Sequence, residues 1–185
     1  HKDVNSYKIE NDTLLVEAIN GASTHIGCRL HTLSDYTMLM STGDAQDQPA
    51  SQDIQELTGK ILRIDISSEN FGGIPSDNPI IDSYVWSWGH RNAQGIEVAP
   101  NGVIYSSEHG PQNDDELNIL ESNQNYGWPD VHGFCNLFSE QSFCEANNVI
   151  EPTGGVGIVL TMLPTVVLKI PAVPCVLLII NSSLT

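Results

Sequence analysis

"YVWSWGHRNAQGIEVAPNGVIYSSE", Tyr84 to Glu108, holds three short β-prone runs, "YVWSWG", "GIEVAP" and "GVIYSSE", parted only by polar and turn-forming residues. Aromatic and β-branched residues in runs this short suit a pleated, half-buried surface, and Gly, Pro and Asn punctuate the chain between them. Upstream, "TLLVEAI", "YTMLMST" and "KILRIDI" repeat the pattern, with Asp and Ser among the breakers. No long amphipathic helix precedes residue 150. Many short strands with close turns predict an all-β architecture, and periodicity alone leaves sandwich, barrel and propeller open. There is no strict internal repeat. "NFGGIPSDNP", Asn70 to Pro79, is too long for a hairpin turn, which leaves a crossing between strands, the lining of a site, or a plain surface excursion.

The 185 residues suffice for one ordinary domain, and they carry 23 acidic against 7 basic side chains, a net charge of -16. Such a balance argues against nucleic acid, whose phosphates need clustered Lys and Arg, and favours cations or neutral polar ligands. The chain begins at His1 without the basic-then-apolar pattern of a signal peptide, so we expect a processed chain or a fragment. From Gly154 the composition turns strongly apolar, yet Pro164, Lys169, Pro171 and Pro174 interrupt it. A membrane span and a buried or out-of-frame segment both stay open there.

Cys135 and Cys144 bracket "NLFSEQSF", read as a polar and aromatic loop with no His or acid spacing suited to zinc. A local disulfide is therefore expected, which would constrain the unfolded chain by roughly 2 to 3 kcal/mol and suit an oxidising compartment. Cys28 and Cys175 have no partner suggested by spacing and read as buried thiols.

The densest chemistry lies in "SSEHGPQNDDELN", Ser106 to Asn118. Asp114, Asp115 and Glu116 repel one another unless a cation or an arginine intervenes, and their hard oxygens suit Ca²⁺. The Gly110-Pro111 step can turn backbone carbonyls toward one point, and calcium accepts carbonyls readily. On acid count alone, a solvated turn that binds nothing is the competing reading.

Several ordered motifs carry a resemblance. "GHRNAQG" (Gly89 to Gly95), "EHGPQNDDELN" (Glu108 to Asn118) and "NYGWP" (Asn125 to Pro129) resemble, in order and separation, the glucose/sorbosone dehydrogenase family, soluble quinoproteins that use pyrroloquinoline quinone. "THIGCRL" (Thr24 to Leu30), "STGDAQD" (Ser41 to Asp47) and "LTGKILRID" (Leu57 to Asp65) extend it, so that it covers roughly residues 20 to 152 and looks nearest the aldose sugar dehydrogenase branch.

The resemblance implies roles position by position. His25 falls at the family's catalytic histidine, a base for a sugar hydroxyl. Arg91 falls at the cofactor-binding arginine, where a planar guanidinium can pair with the quinone's carboxylates, and Asn92 adds a hydrogen bond. Gly110 and Pro111 match the carbonyls that hold the calcium beside the quinone, while Asp115, Glu116 and Tyr126 match a further, structural calcium site. The implied partners are an aldose sugar and an external electron acceptor, in the periplasm or outside the cell. The family fold is a six-bladed β-propeller. At about 40 to 50 residues per blade, this chain supplies only part of one. The glutamine expected before His25 and the later lysine and arginines of the pocket are missing. We therefore expect a partial propeller over residues 1–152, an apolar tail over 153–185 unlike the family, and an isolated fragment without activity. A non-catalytic calcium-binding propeller and an unrelated extracellular binding module are the alternatives.

Overall fold

The computed structural model describes residues 13–155. Two four-stranded antiparallel sheets follow one another along the chain, each a simple meander: β1-β2-β3-β4 and then β5-β6-β7-β8. The first uses β1 Leu30–Thr32, β2 Thr37–Ser41, β3 Lys60–Asp65 and β4 Val85–Trp88. The second uses β5 Ala93–Val98, β6 Ile104–Glu108, β7 Glu116–Leu120 and β8 Gly154–Gly155. Consecutive four-stranded meanders are the repeating unit of a β-propeller, so the all-β expectation resolves into two blades of one. β5 packs back onto β1 and β2, which places the start of the second blade against the inner edge of the first.

Strand alternation builds the core. On β2, Met38 and Met40 point to one side and Leu39 to the other; on β3, Leu62 and Ile64 oppose Ile61. Leu39, Ile61 and Trp86 meet Ala93, Ile96 and Leu120 in one cluster, so the two sheets share an apolar layer. The other face of the first sheet carries Met38, Met40, Leu62, Ile64 and Val85, covered by Leu15 and Val16. "TLLVEAI" is thus not a strand, as its composition led us to expect. Its apolar residues are spent on covering a sheet face rather than on pairing with an edge.

Between β3 and β4, the Asn70–Pro79 loop is the strand crossing. Arg63 anchors it, donating from Nη1 to Asp77 Oδ1 (2.7 Å) and from Nη2 to Asp35 Oδ2 (2.8 Å). Residues 136–143, expected as a loop, are helical from Phe138: α1 runs Phe138–Asn147. Its buried Glu140 accepts from Leu137 N (3.0 Å) and His132 N (3.2 Å), which fixes the helix start and the segment before it. Cys135 and Cys144 are disulfide-bonded, as expected. Cys28 is also disulfide-bonded, which corrects its reading as a buried thiol; Cys175 lies outside the described residues. The expected tail boundary falls just inside the second sheet, because Thr153 N donates to Leu117 O (2.9 Å) and Gly154–Gly155 form β8. The rest of the apolar tail lies outside the described residues. Among those described, no helix is long and apolar enough to cross a membrane.

Lys60 sits wholly inside. Lys60 Nζ donates to the carbonyls of Ala50 (2.7 Å), Ser51 (3.1 Å) and Thr58 (2.7 Å), holding the 3-10 turn Gln48–Ser51 against β3. Burial pulls its pKa down to about 7, against the opposing pull of Asp53 and Glu56. From about 7 up to the unfolded lysine value of about 10.4, the unfolded chain holds this proton more tightly than the fold does, so stability contributed here rises with pH. Lys60→Met should flatten the pH dependence of urea unfolding across that window by up to about 1.4 kcal/mol per pH unit. Equal slopes in the two proteins would show that the carbonyl cage carries the ammonium without cost.

Candidate active site

His25 stands where the chain bends before β1, with left-handed backbone at His25 (φ 56), Gly27 (φ 57) and Cys28 (φ 74). The bend is possible because Gly43 lies flat against it. A Cβ on Gly43 would come within 1.8 Å of His25 O. Ala45 N donates to that same carbonyl (3.0 Å), so the segment after β2 is laced to the segment before β1. This brings His25 Nδ1 to 2.8 Å from Asp44 Oδ1. Asp44 is fully buried and takes two further donors, Gln46 N at Oδ1 (2.9 Å) and Trp128 Nε1 at Oδ2 (2.9 Å).

On its other side, His25 Nε2 lies 3.1 Å from Arg91 Nη2. Arginine has donors only, so Nε2 accepts and the ring proton of the neutral imidazole resides on Nδ1, facing Asp44. The histidine is thereby set in one tautomer, with its basic nitrogen toward Arg91.

Glu108, at the end of β6, organises the next segment. Its Oε1 accepts from both Arg91 N and Asn92 N, the latter at 3.0 Å. Its Oε2 meets His90 Nδ1 at 3.0 Å, and His90 Nε2 meets Ser87 Oγ at 2.9 Å, all buried. His90 stacks on Tyr126 with ring centroids 4.6 Å apart. Arg91 then reaches out over Trp128, its Cζ 5.3 Å from the ring centroid, and donates from Nη1 to His109 O (2.9 Å), while its buried Nε has no partner. Asn92 Oδ1 accepts from Gly27 N (3.2 Å), so only its amide N–H groups remain to be offered outward.

Arg91, Glu108, His109, Gly110, Pro111 and Asp114 line one cleft together with Glu116, Tyr126, Trp128 and His132. Gly110 sits in a turn so tight that a Cβ would meet Asn113 O at 1.9 Å, and its N–H donates to Asp115 Oδ1 (2.9 Å). Glu116 pairs with Glu108 across the β6–β7 ladder. Burial first, and then the neighbouring charge of Glu108, push its pKa up to about 8 despite hydrogen bonds from Asn118 Nδ2 (2.9 Å) and Gly133 N (3.1 Å). Among the described residues no three His, Cys, Asp or Glu side chains converge as a metal cage. A cation here would therefore draw mainly on the carbonyls of Gly110 and Pro111, helped by a carboxylate. The Tyr126 hydroxyl donates to Ile119 O (2.7 Å) and accepts from Glu121 N (2.8 Å), which leaves its backbone carbonyl as the group available to a second ion.

Residues 2–151 match the Glucose / Sorbosone dehydrogenase family. The chain belongs to this family. It is similar to quinoprotein glucose dehydrogenase B of Acinetobacter calcoaceticus, 39% identical over 104 residues, which is 52% of this chain and 21% of that protein. An aldose sugar dehydrogenase of Escherichia coli is 36% identical over 111 residues, 57% of this chain and 29% of that one. The PQQ-bound form of an aldose sugar dehydrogenase from Streptomyces coelicolor superposes with a TM-score of 0.64 at 31% identity, covering 75% of this chain and 37% of that one. The chain thus spans less than a third of the curated relatives' length and is a partial β-propeller of the sugar dehydrogenase type. Membership in the family sets aside an unrelated binding module.

Reading motifs of the glucose/sorbosone dehydrogenase type brought out His25, Arg91 and Asn92 but passed over Asp44, Glu108, His90 and Trp128. All four lie inside the quoted motifs. What marks them is a contact 16 to 84 positions away, which no local pattern displays.

A raised Glu116 gives the fold a proton it holds more tightly than the unfolded chain does, so this stability is lost as pH rises from the ordinary carboxylate range through about 8. A cation needs the ionised carboxylate and would offset the loss. In chelator, the melting temperature should fall as pH climbs through this window, and Glu116→Gln should flatten the fall. Calcium should raise the melting temperature more at the alkaline end; an equal gain at both ends would separate Glu116 from the cation.

Proposed function

We propose that this chain carries the base-bearing part of a PQQ- and calcium-dependent aldose dehydrogenase site. The observation that supports it is the His25–Arg91 contact: a base in a defined tautomer lies 3.1 Å from a guanidinium that lines a cleft. An arginine that lines the cleft and keeps a buried Nε without a partner suits a planar polycarboxylate, which presents several acceptors at fixed spacing. Arg91 and the Asn92 amide would hold the quinone, and the Gly110 and Pro111 carbonyls the calcium beside it. Asp115, Glu116 and the Tyr126 carbonyl are the proposed donors for the structural ion.

When bound, the quinone supplies a two-electron acceptor and the calcium a Lewis acid. The chain's own contribution is proton handling. When a ligand draws Arg91 Nη2 away, His25 Nε2 is free to take the proton of the sugar hydroxyl, and the imidazolium so formed is stabilised by Asp44, which accepts the Nδ1–H. Burial of Asp44 keeps that carboxylate from turning toward solvent instead. An external acceptor would then remove the electrons. Disulfide bonding at Cys28 and at Cys135–Cys144 supports an oxidising compartment, periplasmic or extracellular.

Two substitutions separate the roles in a longer form of this protein that carries the remaining blades. His25→Ala should lower aldose turnover by about two to four orders of magnitude with little change in cofactor binding. Arg91→Ala should weaken cofactor binding, with activity partly restored at high cofactor concentration. Titrating cofactor at saturating sugar reads both, and rescue of His25→Ala by extra cofactor would end its assignment as the base. A scaffold without catalysis would bind no cofactor in either protein.

A further inference from the structure

We propose that Trp128 is a positioning residue that joins the base to the cofactor arginine, its indole N–H holding Asp44 while its ring seats the Arg91 guanidinium. The inference rests on His25 being the base oriented by Asp44. It adds a group that sets how basic His25 is and where Arg91 stands.

The indole does two different things at once. Its Nε1 donates to Asp44 Oδ2 (2.9 Å) across a sequence separation of 84, and the guanidinium of Arg91 lies 5.3 Å above the ring, within the reach of a cation–π contact. Both partners then meet at the two ends of one imidazole, Asp44 at Nδ1 (2.8 Å) and Arg91 at Nε2 (3.1 Å). Tryptophan, Asp44, His25 and Arg91 therefore close a ring of four side chains. Trp128 is itself held firmly: its N–H donates to Gly89 O (3.0 Å), its carbonyl accepts from Gln52 Nε2 (2.7 Å), and His132 stacks on it at 5.1 Å. Gln52 and Asn125 exchange reciprocal amide bonds (3.0 and 2.8 Å), so the turn that follows Asp44 grips the segment that carries the indole.

The chemistry follows from the buried carboxylate. Asp44 Oδ1 serves His25 and Gln46 N, and Trp128 supplies the donor to Oδ2. Removing that donor leaves a fully buried carboxylate less stabilised and makes it draw harder on the Nδ1 proton of His25. The imidazolium is then favoured and His25 becomes more basic. Among the described residues, the charged groups bonded to the His25 ring are Asp44 and Arg91.

The test uses the oxidised 185-residue chain with ¹⁵N-labelled histidine and ¹³C,¹⁵N-labelled arginine, followed by NMR across a pH titration, and requires no turnover. Trp128→Phe keeps a ring beneath Arg91 and removes the donor. Replacing Trp128 with benzothienylalanine, which keeps the bicyclic shape and exchanges N–H for sulfur, guards against a packing artefact. Both should raise the His25 pKa by about half to one unit, and both should leave the Arg91 side-chain shifts close to their original values. Trp128→Leu should raise the His25 pKa and also move the Arg91 signals downfield, because the ring current is gone. Asp44→Asn should lower the His25 pKa and mix its tautomers. If Asp44→Asn acts as stated but both donor-free variants titrate as the parent does, Trp128 is only scaffold and the proposal is overturned. If Trp128→Leu leaves the Arg91 signals in place, the ring seat is refuted. If Asp44→Asn itself changes neither pKa nor tautomer, the oriented-base reading of His25 falls, and this inference with it.

Discussion

A carboxylate with no exposed surface, Asp44, must find a donor for each oxygen or cost several kcal/mol, and this requirement shapes the site more than any other. The donors it finds come from three places: His25 ahead of the first sheet, Gln46 in its own turn, and Trp128 beyond β7. Backbone bonds beside the β1–β2 pair lace the first two segments together, and Trp128 reaches them from beyond the other sheet. The buried charge therefore binds the top of the first blade to the top of the second at the seam where the apolar layer ends. The proposed base thus stands where the fold solves a desolvation problem.

Glu108 solves a similar problem from the second sheet. Its two oxygens take Arg91 N, Asn92 N and His90 Nδ1, so the backbone that leaves β4 is pinned to the end of β6 before β5 begins. Arg91 could swing freely from a flexible loop. Pinned at its own backbone nitrogen and seated on an aromatic ring, it loses little further freedom on meeting a ligand, which is what precise recognition requires. The order of events along the chain is then physical: strand pairing sets the two sheets, the buried carboxylates set the loops, and the loops set the imidazole and guanidinium.

Five of the six β-prone runs read from composition are strands, because half-buried strands advertise themselves through Val, Ile, Met and aromatic residues between turn formers. "TLLVEAI" has the same composition but covers a sheet face instead, and nothing in its own residues distinguishes the two uses. β7, in "DELNIL", was hidden by its acids, and β1 is only three residues long. At the site, His25 and Arg91 were legible because their motifs are dense, whereas Asp44 and Trp128 were not. Their significance lies in meeting each other, and a single sequence records neither partner. The short helix within the disulfide loop escaped for a different reason. Its apolar stripe is weak, and Glu140 and the Cys135–Cys144 bridge hold it rather than amphipathic burial.

The acid-rich stretch from Ser106 to Asn118 illustrates why charge count is a poor guide to cation sites. Glu108 is consumed inside the protein, bonded to two backbone amides and a histidine. Asp115 turns back to cap Gly110 N, so it works first as the brace of the tight Gly110-Pro111 turn. Glu116 faces Glu108 across the ladder and holds its proton into the neutral range, because burial disfavours its charge and the carboxylate of Glu108 opposite adds to that cost. The acids thus shape the cleft before any ion arrives: one braces the backbone, one fixes the neighbouring arginine, and one holds a proton that a divalent ion would have to displace. The carbonyls of Gly110 and Pro111 carry no net charge, so an ion held by them would keep most of its positive field for an anionic ligand beside Arg91.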